Sequence, residues 1–218
     1  MSETVDEFLK RLAPYSTPTE TCGPWIYISN PSYDPNKDRE DLRSFKDEGN
    51  KLLSAFKGKL IEMEGSDRWK SKSALVRKLN EARRDLQTEI FDVARKRKVT
   101  AGKWMLFPAA TDVNHIWSPI AHATAAGELG HAAKVAANDG SGDSKARLMC
   151  VYNEDFEDKT DVKRVLEKLD RMGLVKRDRG IYYKADAFTH LEINSGNEWG
   201  LKPSLYASKD VFKDDWTR

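Results

Sequence analysis

Gly102-Lys103-Trp104-Met105-Leu106-Phe107, closed by Pro108, opens the stretch on which the fold turns. Its composition and its terminating proline read as a strand. From about Asp112 to Ala126 apolar residues recur at helical spacing, with Val113, Ile116, Trp117 and Ile120 on the inner side and Thr111 as cap. Pro119 falls inside that helix and should kink or divide it. Ala132 to Ala137 and Arg147 to Asn153 read as two strands joined by the polar loop Asn138 to Ser144. A second amphipathic helix is expected from Lys159 to Met172, capped by Asp158 or Thr160 and stopped by Gly173. Its stripe is Val162, Val165, Leu166, Leu169 and Met172. Ile181 to Lys184 is a further strand. Strand, helix, two strands, helix, strand is an α+β order with an antiparallel or mixed sheet. It carries no catalytic signature.

Upstream, Ser2 to Ala13 has Val5, Phe8, Leu9 and Leu12 on one helical face, with Ser2 as cap. Pro14 to Pro24 is loop-like, and Trp25-Ile26-Tyr27-Ile28 reads as the first strand. A helix from Arg39 to Phe56 buries Leu42, Phe45, Gly49, Leu52, Leu53 and Phe56. Lys57 to Asp67 either extends it or starts a short strand. The clearest helical period runs from Ser71 or Ser73 to Arg97, through Leu75, Leu79, Ala82, Leu86, Ile90, Val93 and Ala94. Downstream, Phe188 to Ile193 alternates and reads as a strand. The tail from Lys209 is loose unless Val211, Phe212 and Trp216 dock it.

The 218 residues suit a single domain over 1–218, with a helix and loop at 1–23 and a tail at 209–218. A third of the chain is charged, but the signs are mixed and the net charge is only +2. Local clusters therefore decide any attraction to a polyanion. Cys22 and Cys150 make neither a disulfide framework nor a metal-ligand spacing, and Cys150 reads as a buried thiol. No signal peptide or spanning segment is legible, so the expected location is the cytoplasm, with the nucleus also open. His115 and His122 stand two helical turns apart, and no histidine has a second ligand at metal spacing. No metal and no cofactor is expected. Asp155, Glu157 and Asp158 precede a helix, where capping and dipole compensation account for them.

Two features point to a ligand. Basic residues cluster at Arg68, Lys70 and Lys72, at Arg77, Lys78, Arg83 and Arg84, and at Arg95 to Lys98. They read either as a nucleic-acid footprint or as a solvated helix face, since Glu81, Asp85, Glu89 and Asp92 are interspersed. Six tryptophans are present. Trp104 and Trp117 lie inside apolar patterns, whereas Trp69 and Trp199 have polar or turn-like neighbours and could stack on a base or cap a core edge.

The segments Gly102 to Phe107, Ala123-Thr124 through Gly130-His131-Ala132-Ala133-Lys134-Val135, Cys150 to Phe156, Asp161 to Leu166 and Tyr183 to Thr189 together resemble the basophilic-leukaemia-expressed protein family. The turn Ser195-Gly196-Asn197 and the ending Leu201 to Tyr206 belong to the same likeness, which covers 102–206. The order of elements is similar to the second half of the mRNA cap-binding translation initiation factor of the 4E type. The resemblance implies a curved, mainly antiparallel sheet with helices on its convex face and a concave face open to a ligand. Cap binders hold a methylated guanine between two tryptophans that precede a Gly-Arg-Trp strand. Here that region is the helix ending at Arg97, and Trp69 is the only tryptophan between Trp25 and Trp104. Where the family places a phosphate-binding arginine this chain has Ala136-Ala137-Asn138, followed by Lys145 and Arg147.

The expectation is a non-enzymatic binding module that takes RNA or a nucleotide-like ligand on the concave face. Lys134, Lys145, Arg147 and Lys184 would meet phosphates, and Trp69 or Trp199 would stack. A protein-interaction adaptor using Trp117 or the Ser73 to Arg97 helix is the second reading. A nucleotide-processing enzyme using Asp155, Asp186 or His190 is the third, although no pair of these has a spacing that predicts proximity.

Overall fold

Trp104 shows how the sheet finds its core. In the computed structural model, which describes residues 3–34, 40–65, 71–213 and 216, its side chain is fully buried and its indole N–H donates to the Val162 carbonyl at 3.0 Å. Tyr183 meets the same indole edge-on, with ring centroids 5.2 Å apart. Burial of a side chain of this size contributes roughly 2–3 kcal/mol. The Gly102 stretch is therefore an inner strand, and the architecture is α+β with a curved antiparallel sheet.

The chain forms two compact units, one comprising 1–34, 101–184 and 204–218, the other 35–100 and 185–203. In the first unit the strands are β1 (Trp25–Ser29), β2 (Gly102–Leu106), β3 (Ala132–Ala136), β4 (Met149–Asn153), β5 (Tyr182–Ala185) and β6 (Tyr206–Ala207). They lie in the order β1-β3-β4-β2-β5-β6. β1 with β3, β3 with β4, β4 with β2, and β5 with β6 all pair antiparallel. Helices α1 (Val5–Arg11), α2 (Thr19–Cys22), α5 (Val113–Ala125), α6 (Lys159–Arg171) and α8 (Ser208–Val211) complete this unit. α5 packs on β1 and β3, and α6 on β4. The second unit holds α3 (Leu42–Glu64), α4 (Lys72–Lys96) and α7 (Asp186–His190).

Close approach explains one glycine. A Cβ on Gly130 would lie 1.6 Å from the Tyr152 carbonyl oxygen, so only hydrogen lets β3 begin where it does.

Several expectations change. Phe188 to Ile193 is not a strand. Ala187, Phe188 and Leu191 are all buried, a spacing that suits one face of a helical turn, and α7 forms there with Phe188 stacked on Phe91 at 5.1 Å. Ser2, expected as the cap of α1, lies outside the described residues; Thr4 caps the helix, with Glu7 returning the hydrogen bond as a capping box. Pro119 does not divide α5, because Trp117 and Ile120 on either side of it are fully buried and hold the helix in place. The ambiguous run after Phe56 continues α3 to Glu64. In the tail, Val211 is fully buried and Trp216 meets Tyr206 edge-on at 4.6 Å, so docking prevails.

Candidate functional site

Strand alternation sorts the sheet into two faces. The registers set Ile26 opposite Val135, Ala133 opposite Val151, and Val151 opposite Trp104, all on the core side. The other face then carries Trp25 and Tyr27 from β1, Lys134 from β3, Cys150 and Tyr152 from β4, and Lys103 and Met105 from β2. Tyr183 touches Trp104 on the core side, so alternation puts Lys184 on the face of Lys103 and Lys134. One face thus gathers three lysines and three rings.

Lys134 stands at its centre. Its Nζ lies 4.2 Å from the Trp25 ring centroid, 5.6 Å from Tyr27 and 5.5 Å from Tyr152. No carboxylate or hydrogen-bond acceptor among the described residues meets that ammonium. Each such ring contact is worth about 0.5–1 kcal/mol at an exposed site, and more when desolvated. The rings fix where the charge sits without occupying its N–H donors. Lys103 Nζ lies 5.5 Å from the same Tyr152 ring. Tyr27 is 56% exposed, whereas Lys103 and Lys184 are nearly buried. Beyond Tyr152 the aromatic run continues through His131, at 5.8 Å, to Tyr33, 4.6 Å further.

Lys134 and Lys184 are therefore brought to one face. Lys145 is exposed in the loop after β3. Arg147 is buried and clamps that loop, donating to the Ala137 carbonyl at 2.9 Å, Asn138 Oδ1 at 2.8 Å and Asp139 Oδ1 at 3.1 Å. The Ser141 hydroxyl and amide, with Arg147 and Lys145 adding positive charge, hold the Asp139 carboxyl down to about 2. Trp199 belongs to the second unit and is half-buried, and its carbonyl accepts from Arg83 Nε at 3.0 Å. Trp69 lies outside the described residues. Trp25, Tyr27, Tyr152 and Lys103 were missed. Their only sequence signal is alternation within single strands, which says nothing about which strands are neighbours.

The other readings meet their own geometry. Trp117 is fully buried in α5 and offers nothing to a protein partner, which corrects its assignment to an adaptor surface. Because α7 is a helix, Asp186 and His190 stand one turn apart, a proximity that a strand would have denied them. Near them burial, and then the negative charge of Asp186, raises the Glu40 carboxyl above its ordinary range. Asp155 caps its own turn by accepting from the Glu157 amide at 2.8 Å. Among the described residues no group of three His, Cys, Asp or Glu side chains could hold a metal ion, and no helix is long and apolar enough to cross a membrane.

The family model described as basophilic leukemia-expressed protein Bles03 matches residues 1–192, a span that includes β1 to β5 and the whole lysine-aromatic face.

Proposed function

The chain belongs to the basophilic leukemia-expressed protein Bles03 family, and we propose that it is a non-enzymatic binding module for RNA or a nucleotide-like ligand. The ligand lies on the lysine-aromatic face of the sheet, against Trp25 and the exposed Tyr27, on a scaffold similar to the cap-binding initiation factor of the 4E type. One observation carries this reading: the Lys134 ammonium is set over Trp25, Tyr27 and Tyr152 with no acidic partner among the described residues. A nucleotide offers the two complements such a site wants. Its base stacks on Trp25 or the exposed Tyr27, at about 1–3 kcal/mol per base. Its phosphate takes the N–H donors of Lys134.

A short fluorescent single-stranded RNA, titrated at two salt concentrations, tests this. Binding should weaken as salt rises, and Lys134→Met should reduce the slope of log K against log salt by about 0.7, one phosphate's worth for a single strand. Trp25→Leu should weaken binding at both salt concentrations while leaving the slope unchanged. No binding of RNA or of a mononucleotide at low salt would sink the proposal.

A further inference from the structure

The basic clusters of the second unit divide once their contacts are known. Lys78 pairs with Glu81, and Arg95 with Asp92. Lys96 and Arg97 pair with Glu48, and Arg97 also reaches Asp41. Arg83 is engaged by Asn80 and the Trp199 carbonyl. Lys72, Arg77 and Arg84 differ. All three are exposed, and no carboxylate among the described residues lies within ion-pair distance of them. Glu81 feels Arg77 and Arg84 only at longer range.

These three cations share one strip of α4. With 3.6 residues per turn, Lys72, Ser73, Val76, Arg77, Asn80 and Arg84 fall on adjoining rows, and together they line an open hollow of about 570 Å³. Glu81, Asp85 and Glu89 fall on the next rows round, so the strip itself has no acid over three and a half turns. Val76 lies within it, 46% exposed, flanked by the aliphatic stems of the charged residues. Among the described lining residues there is no aromatic ring to stack on a base.

We propose that this strip of α4 docks an acidic amphipathic helix from a partner protein. Charge complementarity selects an acidic occupant, and the exposed Val76 among the three cations selects one with an apolar residue to bury. The spacing selects a helix: Arg77 and Arg84 are seven residues apart, about 10 Å along the axis. Two carboxylates seven residues apart on a partner helix match that span, and an apolar residue one turn outside the carboxylate at Arg77 reaches Val76, which lies on the Lys72 side of Arg77. The strip shares no residue with the lysine-aromatic face of the sheet, and the proposal stands or falls separately from the RNA reading.

Fluorescence anisotropy with the full-length chain provides the test. The probe is a labelled peptide of about four helical turns with two Glu seven positions apart and a Leu one turn outside them. Three comparisons accompany it: the same peptide with Leu replaced by Ser, a single-stranded oligonucleotide of equal charge, and the variant Lys59→Glu. That variant reverses one exposed charge on α3, half the charge change of the double arginine variant. Arg77→Glu with Arg84→Glu should weaken the Leu peptide at least tenfold, Val76→Asp should do the same, and Lys59→Glu should change it less than twofold. Loss of the Leu should weaken binding severalfold. The proposal is overturned if the peptide does not bind, if Lys59→Glu acts as strongly as the double variant, if the Leu is dispensable, or if the oligonucleotide binds more tightly. Circular dichroism melts of each variant confirm that α4 is intact.

Discussion

Alanine at Gly49 and alanine at Gly58 are the same edit at two points of α3, and they should change stability in opposite directions. A helical glycine replaced by alanine gains about 0.5–1 kcal/mol by restricting the unfolded backbone. At Gly58 nothing lies within 4 Å of the position a Cβ would take, so the full gain should appear. At Gly49 that Cβ would lie 2.7 Å from Leu191 Cδ2, 2.8 Å from Cδ1 and 3.3 Å from Cγ. Carbon contacts settle near 3.5–4.0 Å, so Leu191 must retreat by about 1 Å. Leu191 is 3% exposed and packed, and such overfilling costs about 1–3 kcal/mol. The net at Gly49 is a loss of about 1 kcal/mol, and the two variants should differ by about 2 kcal/mol. Urea denaturation read by fluorescence and circular dichroism separates them: the Gly58→Ala midpoint should rise and the Gly49→Ala midpoint fall, with m unchanged. Equal gains at both positions would refute the reasoning, because Leu191 would then have room to turn aside.

Gly130→Ala should be far more damaging, by about 3 kcal/mol or more, because its Cβ would collide with backbone at Tyr152 that has no rotamer to change. The thermal melt should drop by about 6–12 °C for a chain of this size. Trp104→Phe removes the buried hydrogen bond to Val162 and leaves a cavity, and should lower the urea unfolding free energy by about 2–3 kcal/mol. Asp139 makes the loop after β3 acid-sensitive. Its folded carboxyl titrates at about 2 against an ordinary 3.8, so its contribution is complete above 3.8 and lost as pH falls through about 2. The Ser141 amide resonance should move with a midpoint near pH 2, and a midpoint at the ordinary value would show that the Ser141 and Arg147 contacts do not hold.

Most elements were legible because each depends on local pattern. The apolar rows of α4 and α6, the caps Ser71 and Asp158, and Pro108 after β2 are local signals, and these elements fall within a few residues of their expected bounds. α7 was misread because five residues are too few to separate period 2 from period 3.6, and burial by α4 decided the matter. The lysine-aromatic face was half legible. Lys134 and Lys184 stood out as charges in apolar strands. The rings around Lys134 come from β1 and β4, and only the register Tyr27 to Lys134 to Cys150 brings them near. Arg147 looked like a phosphate ligand by charge alone, yet its donors close a loop whose carbonyls no sequence pattern marks.

The sheet order has a consequence for how the chain is made. β1 ends at Ser29 and its partner β3 ends at Ala136, so 136 minus 29, or 107, residues must be synthesised before the pairing can close. At ribosomal rates of about 5–20 residues per second, β1 waits about 5–20 s for its hydrogen-bonding edge to be covered. Trp25, Ile26, Tyr27 and Ile28 are a strand of high β-propensity with no charge to guard it. Meanwhile α3 and α4, which pack chiefly on each other, can pair as soon as both have emerged. The emerging chain is thus most exposed to wrong partners in the interval between its first strand and its third.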